Sequence, residues 1–326
     1  MAGKRLGFLG TGWIGRHRME AMLATGAVEA AAIADPSAEM AAEALKLAPE
    51  ARIVEGLDGL LAEGIDGIVI ATPSALHAEQ SIRALEAGAA VFCQKPLGRN
   101  AAEARAVVEA ARKADRLLAV DFSYRFTEGM RRIRALIGEG ALGRVYAVDL
   151  VFHNAYGPDK AWFYDPALSG GGCVMDLGVH LVDLALWALD FPGVGRVSST
   201  LLAGGAPLTP GKVEDYAVAQ IELAGGASVR LACSWRLPAG RDAIISAAFY
   251  GTEGGAALHN VAGSFYDFTA EHYRGTSAEL LAEPPDAWGG RAGADWARRL
   301  AAGERFDPAA GRLVEVAEAI DRIYGR

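Results

Sequence analysis

The feature that most limits what this chain can fold into is a glycine pattern, Gly10-Thr11-Gly12-Trp13-Ile14-Gly15, set between a short apolar run and a helical one. Arg5–Leu9 reads as a strand ending at Gly10, and Arg16–Ala24 as a helix stopped at Gly26. In a chain with 40 glycines, G-x-G-x-x-G is a weak signal by itself. Between a strand and a helix it acquires a mechanism. Gly10 permits a tight turn, Gly12 lets the backbone approach a pyrophosphate, and Gly15 lets the helix pack closely, with the helix N-terminus facing the negative charge. Thr11, Trp13 and Ile14 belong to the same candidate cofactor loop. A second strand, Val28–Ala34, ends at Asp35-Pro36. That places an acid about twenty residues past Gly15, where it would hold the adenosine ribose hydroxyls. No arginine follows Asp35 directly to receive a 2′-phosphate, so the pattern favours NAD(H) over NADP(H).

The first third keeps one rhythm. Ser37–Lys46 is helical, with Ser37 as N-cap, and Gly67–Ala71 is a β-branched run suited to a strand buried on both faces. His77–Ala87 and Ala101–Ala114 read as helices, and Ala89–Cys93 and Leu117–Asp121 as strands. Alternation of this kind implies βαβ units, hence a doubly wound parallel sheet over residues 1–122. After Tyr124 the pattern changes. A helix over Met130–Ile137 and an alternating strand over Gly143–Phe152 precede a loop, Asn154–Gly172, rich in aromatics, glycine and proline. An apolar helix follows over Cys173–Leu189. Strand-like runs at Ala217–Leu223, Ser228–Trp235 and Ile244–Tyr250 then suggest a large, mostly antiparallel open sheet. Residues 123–326 are therefore expected to form an α+β substrate and oligomerisation domain. Its terminal amphipathic helix, Gly311–Tyr324, is available to pack back on the first domain.

A length of 326 residues with 52% hydrophobic and 22% charged residues suits two domains with real cores. The net charge of -8 argues against a duplex nucleic-acid partner, which requires clustered positive charge. Three cysteines without metal-ligand spacing fit a reducing cytoplasm and no metal site. The apolar stretch Leu6–Leu9 is too short for a signal sequence, and no apolar run reads as membrane-spanning.

Two regions carry candidate chemistry. Thr72-Pro73-Ser74 with His77 follows a buried strand, and Gln94-Lys95-Pro96 ends the next one. Ligands of open parallel sheets lie beyond the carboxyl ends of the strands, so both segments are expected at the cofactor. In the apolar helix, Asp176, His180 and Asp183 fall at i, i+4 and i+7 on one stripe, where packing alone would not place them. Asp183 is expected to face the domain interface or cap a neighbouring segment and to take no direct part in the chemistry. A purely structural Asp176–His180 hydrogen bond is the competing account. Gly170-Gly171-Gly172 just upstream is expected to let the backbone come close to a substrate or nicotinamide.

Taken in order, these motifs resemble the Gfo/Idh/MocA family, which includes glucose–fructose oxidoreductase and inositol dehydrogenase. The matching features are Gly10-Thr11-Gly12 with Gly15, Asp35, Ala71-Thr72-Pro73 with His77, Gln94-Lys95-Pro96, Tyr124-Arg125-Phe126, and Ser169-Gly170-Gly171-Gly172 with Asp176, Gly178 and His180. The resemblance implies a Rossmann domain followed by a domain whose open sheet forms a homodimer or homotetramer interface. It implies that the family's lysine, aspartate and histidine correspond to Lys95, Asp176 and His180. One departure is Gln94, which stands where the family usually has glutamate and supplies no negative charge to hold Lys95 protonated.

The expected activity is reversible oxidation of a secondary alcohol on a sugar, inositol or related polyol. His180 would act as base, Asp176 would orient it, and Lys95 would stabilise charge on the reacting oxygen. Tyr124, Arg125, His153, Tyr156 and Trp162 are candidate substrate contacts. Two other classes compete: a glycoside hydrolase that uses NAD for transient oxidation, and a non-catalytic nucleotide sensor.

Overall fold

The computed structural model describes residues 3–326. In chain order the elements are β1 (Lys4–Leu9), α1 (Trp13–Leu23), β2 (Val28–Ala34), α2 (Ala38–Leu45), β3 (Arg52–Ile53), α3 (Gly56–Ala62), β4 (Gly67–Ile70), α4 (Ser74–Glu86), β5 (Ala90–Cys93), α5 (Ala101–Ala114) and β6 (Leu118–Val120). There follow α6 (Glu128–Gly138), β7 (Val145–Asn154), α7 (Pro166–Ser169), a π-helical turn (Val174–Gly178) continuous with α8 (Val179–Ala188), β8 (Val194–Ala203), β9 (Ala206–Pro207), β10 (Tyr216–Leu223) and β11 (Ser228–Ser234). The chain closes with β12 (Ala243–Gly251), β13 (Gly255–Asn260), β14 (Phe268–Arg274), β15 (Ser277–Ala282), α9 (Arg291–Ala301) and α10 (Arg312–Tyr324).

The chain divides into two compact units. The first contains the chain up to Ser123 and returns at Gly289–Val314. Its six strands form a parallel sheet in the order β3-β2-β1-β4-β5-β6. β4 (Gly-Ile-Val-Ile) and β5 (Ala-Val-Phe-Cys) are buried at every position, as strands covered by helices on both faces must be. Phe8, Met19, Met22, Ile33, Leu60, Ile68, Ile70 and Phe92 fill the core. α9 completes it. Trp296 is 1% exposed and lies 5.7 Å from the Phe92 ring. A Cβ on Gly67 would come within 2.8 Å of the Trp296 ring, so the strand is bare where the indole lies. The sequence reading placed Gly289–Val314 in the second domain. The structure returns this segment to the first, where α9 supplies a large buried aromatic. Gly293, Trp296, Ala297 and Leu300 recur at helical spacing and form its buried stripe, but only Trp296 and Leu300 among them are large apolar residues, which makes the stripe faint in the sequence.

The second unit contains Tyr124–Trp288 and Glu315–Arg326. Its nine-stranded sheet runs β15-β14-β13-β12-β7-β11-β10-β8-β9, antiparallel except where β11 and β7 lie parallel. Along β7, Val148, Leu150 and Phe152 face the core while their neighbours are partly exposed, the period-two alternation of a half-covered sheet. α8 is buried at every residue from Val179 to Leu186. The helical stretch Pro166–Ala188 is long and apolar enough to cross a membrane by length and composition, and 89% of its most apolar window is buried inside the protein.

Candidate active site

The first unit gathers its candidate residues at the carboxyl ends of β1, β2, β4 and β5. Gly10 has φ of 84°, a left-handed turn that glycine adopts without steric cost, and a Cβ there would lie 2.6 Å from the Ala71 carbonyl oxygen. A Cβ on Gly15 would lie 2.1 Å from the Gly10 carbonyl oxygen, so α1 can approach the loop only with glycine at that position. Gly12 differs from both. A Cβ there meets nothing within 4 Å, which leaves open space beside the first turn of α1. Helix α1 starts at Trp13, earlier than the sequence suggested, so Trp13 (56% exposed) and Ile14 stand on its N-terminal turn. Asp35 Oδ2 accepts the Thr11 N–H at 2.6 Å, and Oδ1 accepts the Ser37 N–H at 2.8 Å, which sets its carboxylate at the end of β2. An open glycine at a helix N-terminus with a fixed acid on the neighbouring strand fits a nicotinamide dinucleotide. Gly10, Gly12, Gly15 and Asp35 would hold it.

Two residues expected at the cofactor turn out to face inward. His77 is 1% exposed, and both of its ring nitrogens meet carbonyl oxygens, Nδ1 at 2.6 Å from Pro96 and Nε2 at 2.7 Å from Thr72. Burial lowers its pKa and the two carbonyls pull it back. His77 thus ties the loop after β4 to the loop after β5 rather than presenting a ring to a ligand. Thr72 is further held by its hydroxyl, which donates to Gln80 Oε1 at 2.6 Å; Pro73 precedes α4, and Ser74 is buried in its first turn. Gln94 is likewise turned inward, its amide donating to Asp121 Oδ2 at 2.8 Å. Arg18 Nε donates to the same oxygen at 2.6 Å. Asp121 is 1% exposed, and its Oδ2 fixes Arg18 and Gln94 together beneath the end of β5. Lys95 follows, half-buried at the end of β5.

In the second unit, Asp176 lies in the π-helical turn and His180 in the first turn of α8. π-turns bond i to i+5 and are frequent at functional sites. Trp235 Nε1 donates to Asp176 Oδ2 at 3.0 Å. His180 is 7% exposed, with the Tyr124 ring meeting it edge-on at 4.9 Å. Asp183 takes a different direction from the other two. It is 1% exposed and bound by Arg125, whose Nε donates to Oδ2 at 2.7 Å. Burial pushes the Asp183 pKa up, and Arg125 opposes this. The Arg125 guanidinium also lies over Trp187 and Phe191, so its observed role is to hold α8 rather than to reach a substrate.

The aromatic loop is organised around Trp235. Phe163 and Tyr164 meet its ring edge-on at 6.3 and 5.6 Å, and Trp162 stacks on Phe163 at 3.8 Å. Tyr156 is 52% exposed, beside Phe265. His153 Nδ1 bonds Ser234 Oγ at 2.8 Å and its ring lies parallel to Tyr216; burial lowers its pKa. Trp235 is not among the residues that the sequence pattern singles out. Its one signal there is a tryptophan closing the strand-like run Ser228–Trp235.

The run Gly170-Gly171-Gly172 is filled by the protein itself and not by a ligand. A Cβ on Gly171 would lie 2.0 Å from the Tyr324 hydroxyl, and one on Gly172 would lie 1.9 Å from the Glu214 carbonyl oxygen. Gly170 ends α7 with φ of 83°. Among the described residues, no group of three or more His, Cys, Asp or Glu side chains could hold a metal ion.

A family model for the oxidoreductase NAD-binding Rossmann fold matches residues 4–122, and one for the GFO/IDH/MocA C-terminal domain matches residues 130–257. D-glucoside 3-dehydrogenase of Escherichia coli K12 is 30% identical over 234 residues, 68% of this chain and 64% of that protein, so the chain spans just under two thirds of its length. The rhizopine catabolism protein MocA of Rhizobium meliloti is 32% identical over 241 residues, 72% of this chain and 73% of that protein. A crystal structure of GenD2 from gentamicin A biosynthesis in complex with NAD has the same fold at a TM-score of 0.83, with 26% identity over 100% of this chain and 94% of that one. With both domain models matched in order along the chain and nearly three quarters of the rhizopine protein aligned, this chain belongs to the Gfo/Idh/MocA family of oxidoreductases.

Proposed function

We propose that this protein is a nicotinamide-dependent dehydrogenase that oxidises a secondary alcohol of a sugar, inositol or related polyol, with NAD as the preferred cofactor. The observation that carries the reading is the Asp176–His180 pair in a buried apolar helix, with Asp176 held by the Trp235 indole. A bound oxidised nicotinamide supplies the hydride acceptor. His180 takes the hydroxyl proton, because imidazole titrates near neutral pH. Asp176 favours the imidazolium that results. Lys95 donates to the reacting oxygen and stabilises its developing charge. The aromatic loop with Tyr156 and Trp162, along with Tyr124 and His153, offers apolar ring faces and polar edges suited to a polyol. The D-glucoside 3-dehydrogenase relative supports a sugar substrate, and the GenD2 complex supports NAD.

The preference for NAD rests on Asp35, whose carboxylate would repel a 2′-phosphate. The second unit's open sheet face is the proposed homo-oligomer contact. Val218, Ala232, Val151 and Ser246 pair in one cross-strand row on that face, each half-exposed.

The test is NADH formation by the purified protein across inositols, aldoses, glycosides and sugar acids. Turnover on one stereochemical set, lost in Lys95→Ala and His180→Ala, is the expected result. Sugar release without NADH accumulation would move the protein to NAD-dependent glycoside hydrolysis. NADH binding without turnover on any member would favour a nucleotide sensor.

A further inference from the structure

A carboxylate and a phenol from distant parts of the chain sit at the N-terminal end of the helix that carries Asp176 and His180. Glu214 is 0% exposed. Its Oε1 accepts the Val174 N–H at 2.8 Å, its Oε2 accepts the Gly172 N–H at 3.0 Å, and the Tyr324 hydroxyl donates to Oε1 at 2.8 Å. The Tyr324 oxygen in turn accepts the Met175 N–H at 3.2 Å. Gly172, Val174 and Met175 lie where a helix start leaves backbone donors without intrahelical acceptors. Nothing in the immediate sequence answers them, because no serine, threonine, aspartate or asparagine caps this end. The two close approaches at Gly171 and Gly172 show that the backbone is shaped to admit these partners.

Stability alone does not call for this arrangement. A local cap satisfies such donors more cheaply than a fully buried carboxylate, which loses its hydration. The long-range pair does something a local cap cannot. It registers the π-helical turn against the segment leading into β10 and against the end of α10, while Trp235 registers Asp176 from the end of β11. Resting on the dehydrogenase reading, we propose that Glu214 and Tyr324 are positioning residues for Asp176 and His180. They set the pitch and rotation of the turn so that the carboxylate and imidazole hold one orientation.

The test uses the full-length protein and three variants. Tyr324→Phe removes both hydroxyl contacts and leaves the ring against Gly171. Glu214→Ala removes every acceptor, and Glu214→Gln restores a carbonyl acceptor in the same shape. Tyr324→Phe and Glu214→Ala are expected to lower kcat by about tenfold or more, as small misplacements of reacting groups do. KM for the polyol and the dissociation constant for NADH should stay within about twofold. Glu214→Gln should recover most of kcat. In parallel, the His180 imidazole is titrated by NMR in histidine-labelled protein, its resonance assigned from His180→Gln. Tyr324→Phe should displace that titration whether or not a substrate is known. A titration displaced in Tyr324→Phe, with no dehydrogenase turnover in the wild-type protein, would keep the positioning role and remove the dehydrogenase reading. Unchanged kcat and unchanged His180 titration in Tyr324→Phe would overturn the proposal. A parallel fall of kcat, NADH binding and thermal midpoint in all three variants, including Glu214→Gln, would overturn it too.

Discussion

Trp235 controls Asp176 through a single hydrogen bond, and the chemistry assigned to His180 depends on where that carboxylate points. A hydrogen bond to a charged group contributes roughly 1.5–3 kcal/mol. Trp235→Phe keeps an aromatic ring beside Phe163 and Tyr164, loses the indole donor and leaves a small gap where the fused five-membered ring was. It is expected to lower kcat/KM about tenfold or more while leaving NADH affinity unchanged, as steady-state kinetics and fluorescence titration would show. A second residue-scale prediction concerns Glu214. Burial raises its pKa, and the donors at Val174, Tyr324 and Gly172 oppose the rise without cancelling it. Tyr324 itself lies well above the ordinary phenol range, so only the acid titrates between acidic and neutral pH. A carboxyl raised in the folded state stabilises the fold below its unfolded value of 4.5 and loses that contribution as pH rises through the folded pKa. Each unit of elevation is worth about 1.4 kcal/mol. The stability of wild type relative to Glu214→Gln should therefore fall as pH is raised above the unfolded value and then level off. Urea unfolding from pH 4 to 8 measures this, and a difference that grows with pH would refute it.

At the scale of single elements, the glycines of the first βα turn separate folding from binding. Gly15 faces the Gly10 carbonyl at a distance no Cβ can occupy, whereas Gly12 faces open space. Gly15→Ala is expected to push α1 off the sheet and lower the thermal midpoint by several degrees, with cofactor binding lost as a consequence. Gly12→Ala should keep the midpoint within about a degree and weaken NADH binding roughly tenfold or more, since a methyl group would occupy the approach to the pyrophosphate. Calorimetry and NADH titration on the two variants make the comparison. If Gly12→Ala bound NADH normally, the open space at Gly12 would have some other purpose. α5 shows the same local logic without function: Asn100 accepts the Glu103 N–H at 2.9 Å, and Glu103 reaches back to the Arg99 N–H at 2.8 Å.

For the whole molecule, the decisive feature is that the first unit is discontinuous in sequence. Its core depends on Trp296, which arrives only after the chain has built the nine-stranded sheet of the second unit. Trp296→Ala removes a fully buried indole from between Phe92 and Gly67 and is expected to cost about 3–5 kcal/mol. Trp288→Phe, at a largely buried tryptophan of the second unit, keeps a six-membered ring and loses the Nε1 donation to the Tyr266 carbonyl, and should cost less than Trp296→Ala. Hydrogen exchange would show protection lost first in β4 and β5 of Trp296→Ala. Equal loss in both units would mean that the two fold as one cooperative body.

The sequence by itself determined the parallel sheet, the glycine loop, Asp35 and the spacing of Asp176 and His180. These follow from local physics: periodicity, turn chemistry, and the improbability of acids on an apolar helix without partners. The boundaries of β2, α5 and α10 were legible for the same reason. What lay beyond it was every assignment that depends on a distant partner. His77 and Gln94 sit where cofactor contacts belong, yet they face Pro96, Thr72 and Asp121. Asp183 shares the stripe of Asp176 and His180; that it stands outside the chemistry was expected, but its partner, Arg125, was not legible. The triple glycine suggested an opening, and Tyr324 and Glu214 close it. Spacing along a chain specifies which side chains share a face. Only the tertiary fold decides what that face meets, because a buried polar group takes whichever partner the packing of remote segments brings within hydrogen-bond reach.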